Sequence, residues 1–81
     1  MYQIKPFKVD CGSVIAGNTL QKLAIKNGWR TIEYFPDKIY FIFDGSSLYY
    51  TDEYCIYNKY PDYKLVNYNE AVKLLSNRSE R

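Results

Sequence analysis

Residues 31–51, TIEYFPDKIYFIFDGSSLYYT, alternate apolar and polar side chains between two turn signals, and this pattern narrows the fold more than any other feature of the chain. Alternation of this kind marks strands with one buried face. Pro36-Asp37 supplies the fixed φ of a turn, and Asp44-Gly45 or Gly45-Ser46 supplies a residue that tolerates positive φ at a hairpin. Three strands are therefore expected. With Phe35 opposite Lys38 and Phe41 opposite Leu48, the inner face holds Ile32, Tyr34, Ile39, Phe41, Phe43, Leu48 and Tyr50. Slipping the second turn by one position changes the partners but keeps that set together. The outer face then carries Thr31, Glu33, Phe35, Lys38, Tyr40, Ile42, Ser47, Tyr49 and Thr51.

Before this stretch, Phe7, Val9 and Cys11 alternate with Lys8 and Asp10, which predicts a half-buried strand over 7–11 entered from Pro6. A helix follows with two candidate starts. Asn18 has Gln21 three residues on, a weak capping box, ahead of the stripe Leu20, Leu23 and Ala24; Ser13 is the alternative, with Ala16 extending the stripe and Gly17 inside the helix. Asn27-Gly28 ends it either way, Lys26 suits the negative end of the dipole, and Trp29 folds back on the last turn.

Beyond the sheet, Asp52 is expected to cap a short helical turn that brings Tyr54, Cys55 and Ile56 onto the sheet and stops at 58–61. Residues 63–66 read as a last strand. Asn67 and Glu70 form a capping box ahead of a helix whose buried stripe is Ala71, Leu74 and Leu75, with Val72 on its flank. The expected architecture is a small single α+β domain over 1–75, with an antiparallel sheet of four to five strands, two helices packed on one face, and a frayed tail at 76–81. Two helices cover one face, so the other is expected to lie open.

Chemistry is constrained by what the sequence lacks. There is no histidine among the 81 residues, and the two cysteines, Cys11 and Cys55, have no metal-ligand spacing, so no metal and no cofactor are expected. Cys11-Gly12-Ser13 is a strand-to-helix corner without the G-x-S-x-G of a nucleophile elbow, and the four glycines form no phosphate-cradling pattern. No catalytic residues are assigned, and the chain is read as a non-enzyme. Residues 1–10 lack an apolar signal core and no apolar run approaches about 18 residues, so a cytoplasmic protein with reduced thiols and no membrane partner is expected.

Tyrosine is the outlier, at ten residues, and it directs attention to recognition. Tyr40, Ile42 and Tyr49 adjoin on the outer sheet face, where they would form an exposed patch and support a weak homodimer. Tyr50, Tyr54, Tyr57, Tyr60 and Tyr63 recur through the next segment among charged residues, a composition typical of binding loops. The partner-binding set is Tyr40, Ile42, Tyr49, Tyr54, Tyr57 and Tyr60 with Lys38 and Lys59. The plain alternatives are that residues 52–62 wrap over the outer face, or that the tyrosines fill the core of a domain short of leucine. A nucleotide held between rings, with Lys or Arg on its phosphate, is the competing ligand. Polymeric nucleic acid is disfavoured because acids interrupt the basic track.

The arrangement LQKLAIKNGWR, IYFIFD, SLYYTD and YKLVNYNEAVKLL resembles a loose class of small early proteins of tailed bacteriophages. The resemblance covers about two thirds of the chain and is one of pattern. It implies an inhibitor of a host bacterial enzyme or defence system, acting by occluding a protein surface or by sequestering a nucleotide signal. It carries over no catalytic residues.

Overall fold

The apolar alternation at 40–51 closes as a hairpin, β2 (Tyr40–Asp44) and β3 (Ser47–Thr51), with Gly45 at φ 65° after the Asp44–Ser47 pair. The computed structural model describes residues 5–31, 34–45 and 47–79. Around the hairpin lie β1 (Phe7–Asp10), α1 (Val14–Lys26), α2 (Glu53–Asn58), β4 (Lys64–Asn67) and α3 (Tyr68–Ser79), so the last helix continues into the segment assigned to the tail. The strand order is β3-β2-β1-β4.

The α+β class holds, and one pairing departs from the all-antiparallel expectation. Strands β1 and β2 are antiparallel, Val9 facing Phe41, but β1 and β4 are parallel, Val9 facing Val66. Their connection explains it. The α2 segment carries the chain from the end of β3 back to the starting end of β1, so β4 enters in the same direction as β1.

Of the expected first strand of the meander, the described residues Thr31, Tyr34 and Phe35 lie in no strand. Ile32 and Glu33 lie outside the described residues, Arg30 makes an isolated parallel bridge to Ser47, and Leu48 N–H donates to the Arg30 carbonyl at 2.7 Å. Phe35 gives both backbone groups to a helix instead of a strand: its N–H donates to Gln21 Oε1 at 2.8 Å, and its carbonyl accepts from Gln21 Nε2 at 2.5 Å. Gln21 therefore is a fully buried clamp and not half of a capping box. Helix α1 begins at Ser13, whose Oγ accepts from Ala16 N–H at 3.1 Å. Gly17 inside it is required by a close approach, because a Cβ there would sit 2.2 Å from the Lys38 carbonyl oxygen.

Helices α1 and α3 cover one sheet face. Phe7 and Phe43 stack at 4.8 Å, Trp29 meets both edge-on, and Val9, Leu20, Ala24, Phe41, Leu48, Val66, Ala71 and Leu75 complete the cluster. Asn67 and Glu70 start α3 as their spacing predicts, Glu70 N–H donating to Asn67 Oδ1 at 2.9 Å. Two described members of the expected inner face stay outside this core. Tyr34 is exposed, and so is Tyr50, paired with Phe41 on edge strand β3. Its ring packs instead on Phe35 at 4.4 Å, with Lys38 Nζ 4.7 Å from its centroid.

The second face is covered over β1 and β2, while Tyr49 on β3 stays exposed. Short helix α2 packs on β1 and β2 and buries Ile56 fully against that face, where Ile42 is only 4% exposed. Among the described residues no helix is long and apolar enough to cross a membrane.

Candidate functional site: a tyrosine layer

The outer layer is built from the cap of α2. Asp52 Oδ1 accepts the Cys55 N–H at 2.8 Å, and this bond, first among its causes, holds the Asp52 carboxyl below its ordinary value. The cap fixes the rotation of a six-residue helix that is too short to hold itself. Ile56 then points into the sheet, Tyr57 reaches β1, and Tyr54 faces outward at 65% exposure. At the far end, Lys8 Nζ, on the outer face of β1, donates to the Lys59 carbonyl at 2.9 Å and so pins the end of α2. Lys8 is otherwise buried, so this bond also satisfies a charge withdrawn from water.

Two tyrosines are tied to carboxylates of the sheet. Tyr57 Oη donates to Asp10 Oδ2, while Asp10 Oδ1 accepts the Gly12 N–H at 3.0 Å. That hydrogen bond, reinforced by partial burial and the Asp10 charge, pushes the Tyr57 hydroxyl up to about 12. Tyr63 Oη donates to Asp44 Oδ2 at 2.6 Å and is raised for the same leading reason. Between them Tyr60 sits at φ 60°, a left-handed conformation that costs a bulky residue roughly 1–3 kcal/mol. The Tyr63 N–H donates to the Tyr60 carbonyl at 3.0 Å, closing the turn through Pro61, and the two rings lie 5.4 Å apart. Together with Ile42, Asp44, Tyr49 and Tyr50 these rings line a groove of about 410 Å³.

The candidate residues divide clearly. Tyr49, Tyr54, Tyr57 and Tyr60 are all exposed on this side. Tyr40 is half-buried, its hydroxyl raised by desolvation first and then by Glu53 and Asp10. Ile42 is removed from the surface and becomes the floor of the groove. Lys38 stands apart, over the Tyr50 ring, and Lys59 contributes its backbone carbonyl while its residue stays exposed. The sequence set omits Tyr63, Asp44 and Asp10. The signal for the two acids was their outward position on alternating strands, opposite a tyrosine-rich segment.

A second, shallower cleft of about 520 Å³ opens where parallel strands β1 and β4 end, lined by Asp10, Gly12, Tyr57, Asn67 and Tyr68 among others. Its Asp10 and Asn67 side chains are engaged in internal hydrogen bonds. Cys11 beside it is a free thiol, buried and pushed up to about 12 chiefly by that burial and then by Asp10, so it is not a thiolate nucleophile near neutral pH. Among the described residues no three potential ligands gather to hold a metal. Comparison with family models, with curated proteins and with solved structures gives no match.

Proposed function

We propose that the chain is a non-enzymatic interaction protein that binds a protein partner through its tyrosine layer. The observation carrying this reading is that Tyr49, Tyr54, Tyr57 and Tyr60, each 39–65% exposed, lie on the sheet face opposite the main core. Rings of this kind bring large contact area at small entropic cost, and the bonds of Tyr57 and neighbouring Tyr63 to Asp10 and Asp44 reduce that cost further by fixing the rings beforehand. The likeness to early phage proteins directs the reading to a bacterial cytoplasm, with a host enzyme or defence protein occluded by this surface. The nucleotide-sequestering alternative is less well supported. A base between two rings needs about 7 Å, two van der Waals layers, whereas Phe35–Tyr50 and Tyr60–Tyr63 lie at 4.4 and 5.4 Å and fill each other's faces.

The test is affinity capture from bacterial lysate with the wild-type chain and a Tyr49→Ala, Tyr54→Ala double variant. Wild type is expected to retain one partner in stoichiometric amount, and the variant to lose it with its melting curve unchanged. Equal recovery by both, or no stoichiometric partner with wild type, overturns the proposal.

A further inference from the structure

Charge is unevenly distributed over the molecule. On the tyrosine side, the described residues include the carboxylates of Asp10, Asp44, Asp52 and Glu53 and the amines of Lys8 and Lys59, with Lys38 Nζ at 4.7 Å from the centroid of the Tyr50 ring, although the chain as a whole carries +2. Lys8 Nζ is already held by a carbonyl. Among these described groups carboxylates outnumber amines, the reverse of the balance of the whole chain. The groove within the tyrosine layer concentrates this character, since four tyrosines, one buried isoleucine and the Asp44 carboxylate line it and no basic residue does. Asp44 Oδ2 accepts from Tyr63, and its Oδ1 takes no hydrogen bond from a described residue.

We propose that this groove receives an arginine side chain of the protein partner, a refinement that rests on the partner-binding reading above. A guanidinium matches each wall of the groove. Its flat faces stack on phenol rings, its N–H groups donate to a carboxylate, and it sheds water more readily than an ammonium does. The Tyr63–Asp44 bond positions the carboxylate at the rim, and the left-handed Tyr60 places a ring against Tyr63 before any ligand arrives. A second copy of this chain presenting the same face would bring like charges together, so an arginine from another protein is the better occupant.

The probe is acetyl-Gly-Arg-Gly-amide, titrated into the full chain while the tyrosine ring resonances are followed by NMR, with the citrulline peptide as its uncharged isostere. The arginine peptide is expected to move the rings of Tyr49, Tyr60 and Tyr63, with the citrulline peptide binding at least about tenfold more weakly. Asp44→Asn should weaken the arginine peptide about tenfold; Tyr49→Leu, which keeps apolar area and removes the ring, is the second variant should the first fail to fold. Equal binding of the two peptides, unchanged binding in both variants, or shifts confined to Phe35 and Tyr50 overturns the assignment. Ring shifts that grow with protein concentration alone would give the groove to a second copy and overturn it too. A captured partner that excess arginine peptide does not displace defeats this inference and leaves the partner-binding reading intact, whereas peptide binding without any stoichiometric partner does the reverse.

Discussion

The two faces of the sheet bury side chains by different means. On the α1/α3 face, Phe7, Phe43 and Trp29 interlock with aliphatic residues into a dry cluster that contains no hydrogen-bonded tyrosine. On the α2 face the buried apolar groups among the described residues are Ile42 and Ile56, and around them the packing is done by phenols bonded to Asp10 and Asp44 and by a lysine bonded to a carbonyl. The first face contributes most of the hydrophobic stability. The second is held by directional bonds that leave ring faces in water, so its rings are fixed and accessible at once.

The largest expected effect separates the two faces directly. Phe43→Ala should cost about 3–5 kcal/mol, a large share of the roughly 4–12 kcal/mol available to a domain of this length, whereas Ile56→Ala should cost about 2–3 kcal/mol because the thin α2 layer can settle into the space. Urea unfolding measures both, and equal losses would mean that the α2 face is as much core as the other.

Gln21→Ala comes next. It leaves the Phe35 N–H and carbonyl without partners, so a loss of about 1–3 kcal/mol is expected, together with faster hydrogen exchange of the Phe35 amide. An unchanged exchange rate would show that residues 34–38 are held by packing alone.

The pH dependence sharpens the contrast further. The Tyr57 hydroxyl is raised in the fold, so its contribution is complete below the ordinary tyrosine value of about 10 and is lost as the pH rises from there towards about 12. Absorbance titration should show a late-ionising fraction, to which Tyr40 and Tyr63 also belong, whose latest part is lost in Tyr57→Phe. Ionisation of all the tyrosines together near the ordinary value would remove the Asp10 bond from the account.

The smallest effect is also diagnostic. Tyr54→Ser should change stability by no more than about 0.5 kcal/mol, since its ring is 65% exposed, while still reducing partner capture. A loss above about 1 kcal/mol would make Tyr54 a structural residue.

What the chain order determined by itself was local. The hairpin at Gly45, the caps at Asp52 and Asn67, the stop at Gly28 and the face shared by Phe41, Phe43 and Leu48 were all legible, because each rests on φ preferences, side-chain bonds within four residues, or a period of two. Which tyrosines would stay exposed was left open by the sequence: Tyr49, Tyr54, Tyr57 and Tyr60 of the candidate set are exposed, while Ile42 was placed on an open face that α2 covers. Only the tertiary structure decided that coverage, along with the parallel entry of β4, the capture of the Phe35 backbone by the Gln21 clamp, and the pairing of Tyr63 with Asp44 across 19 residues. The physical reason is common to all four. Each choice sets one long-range contact against a local preference worth about 1 kcal/mol or less, and the balance depends on groups far apart in the chain that meet only in the fold.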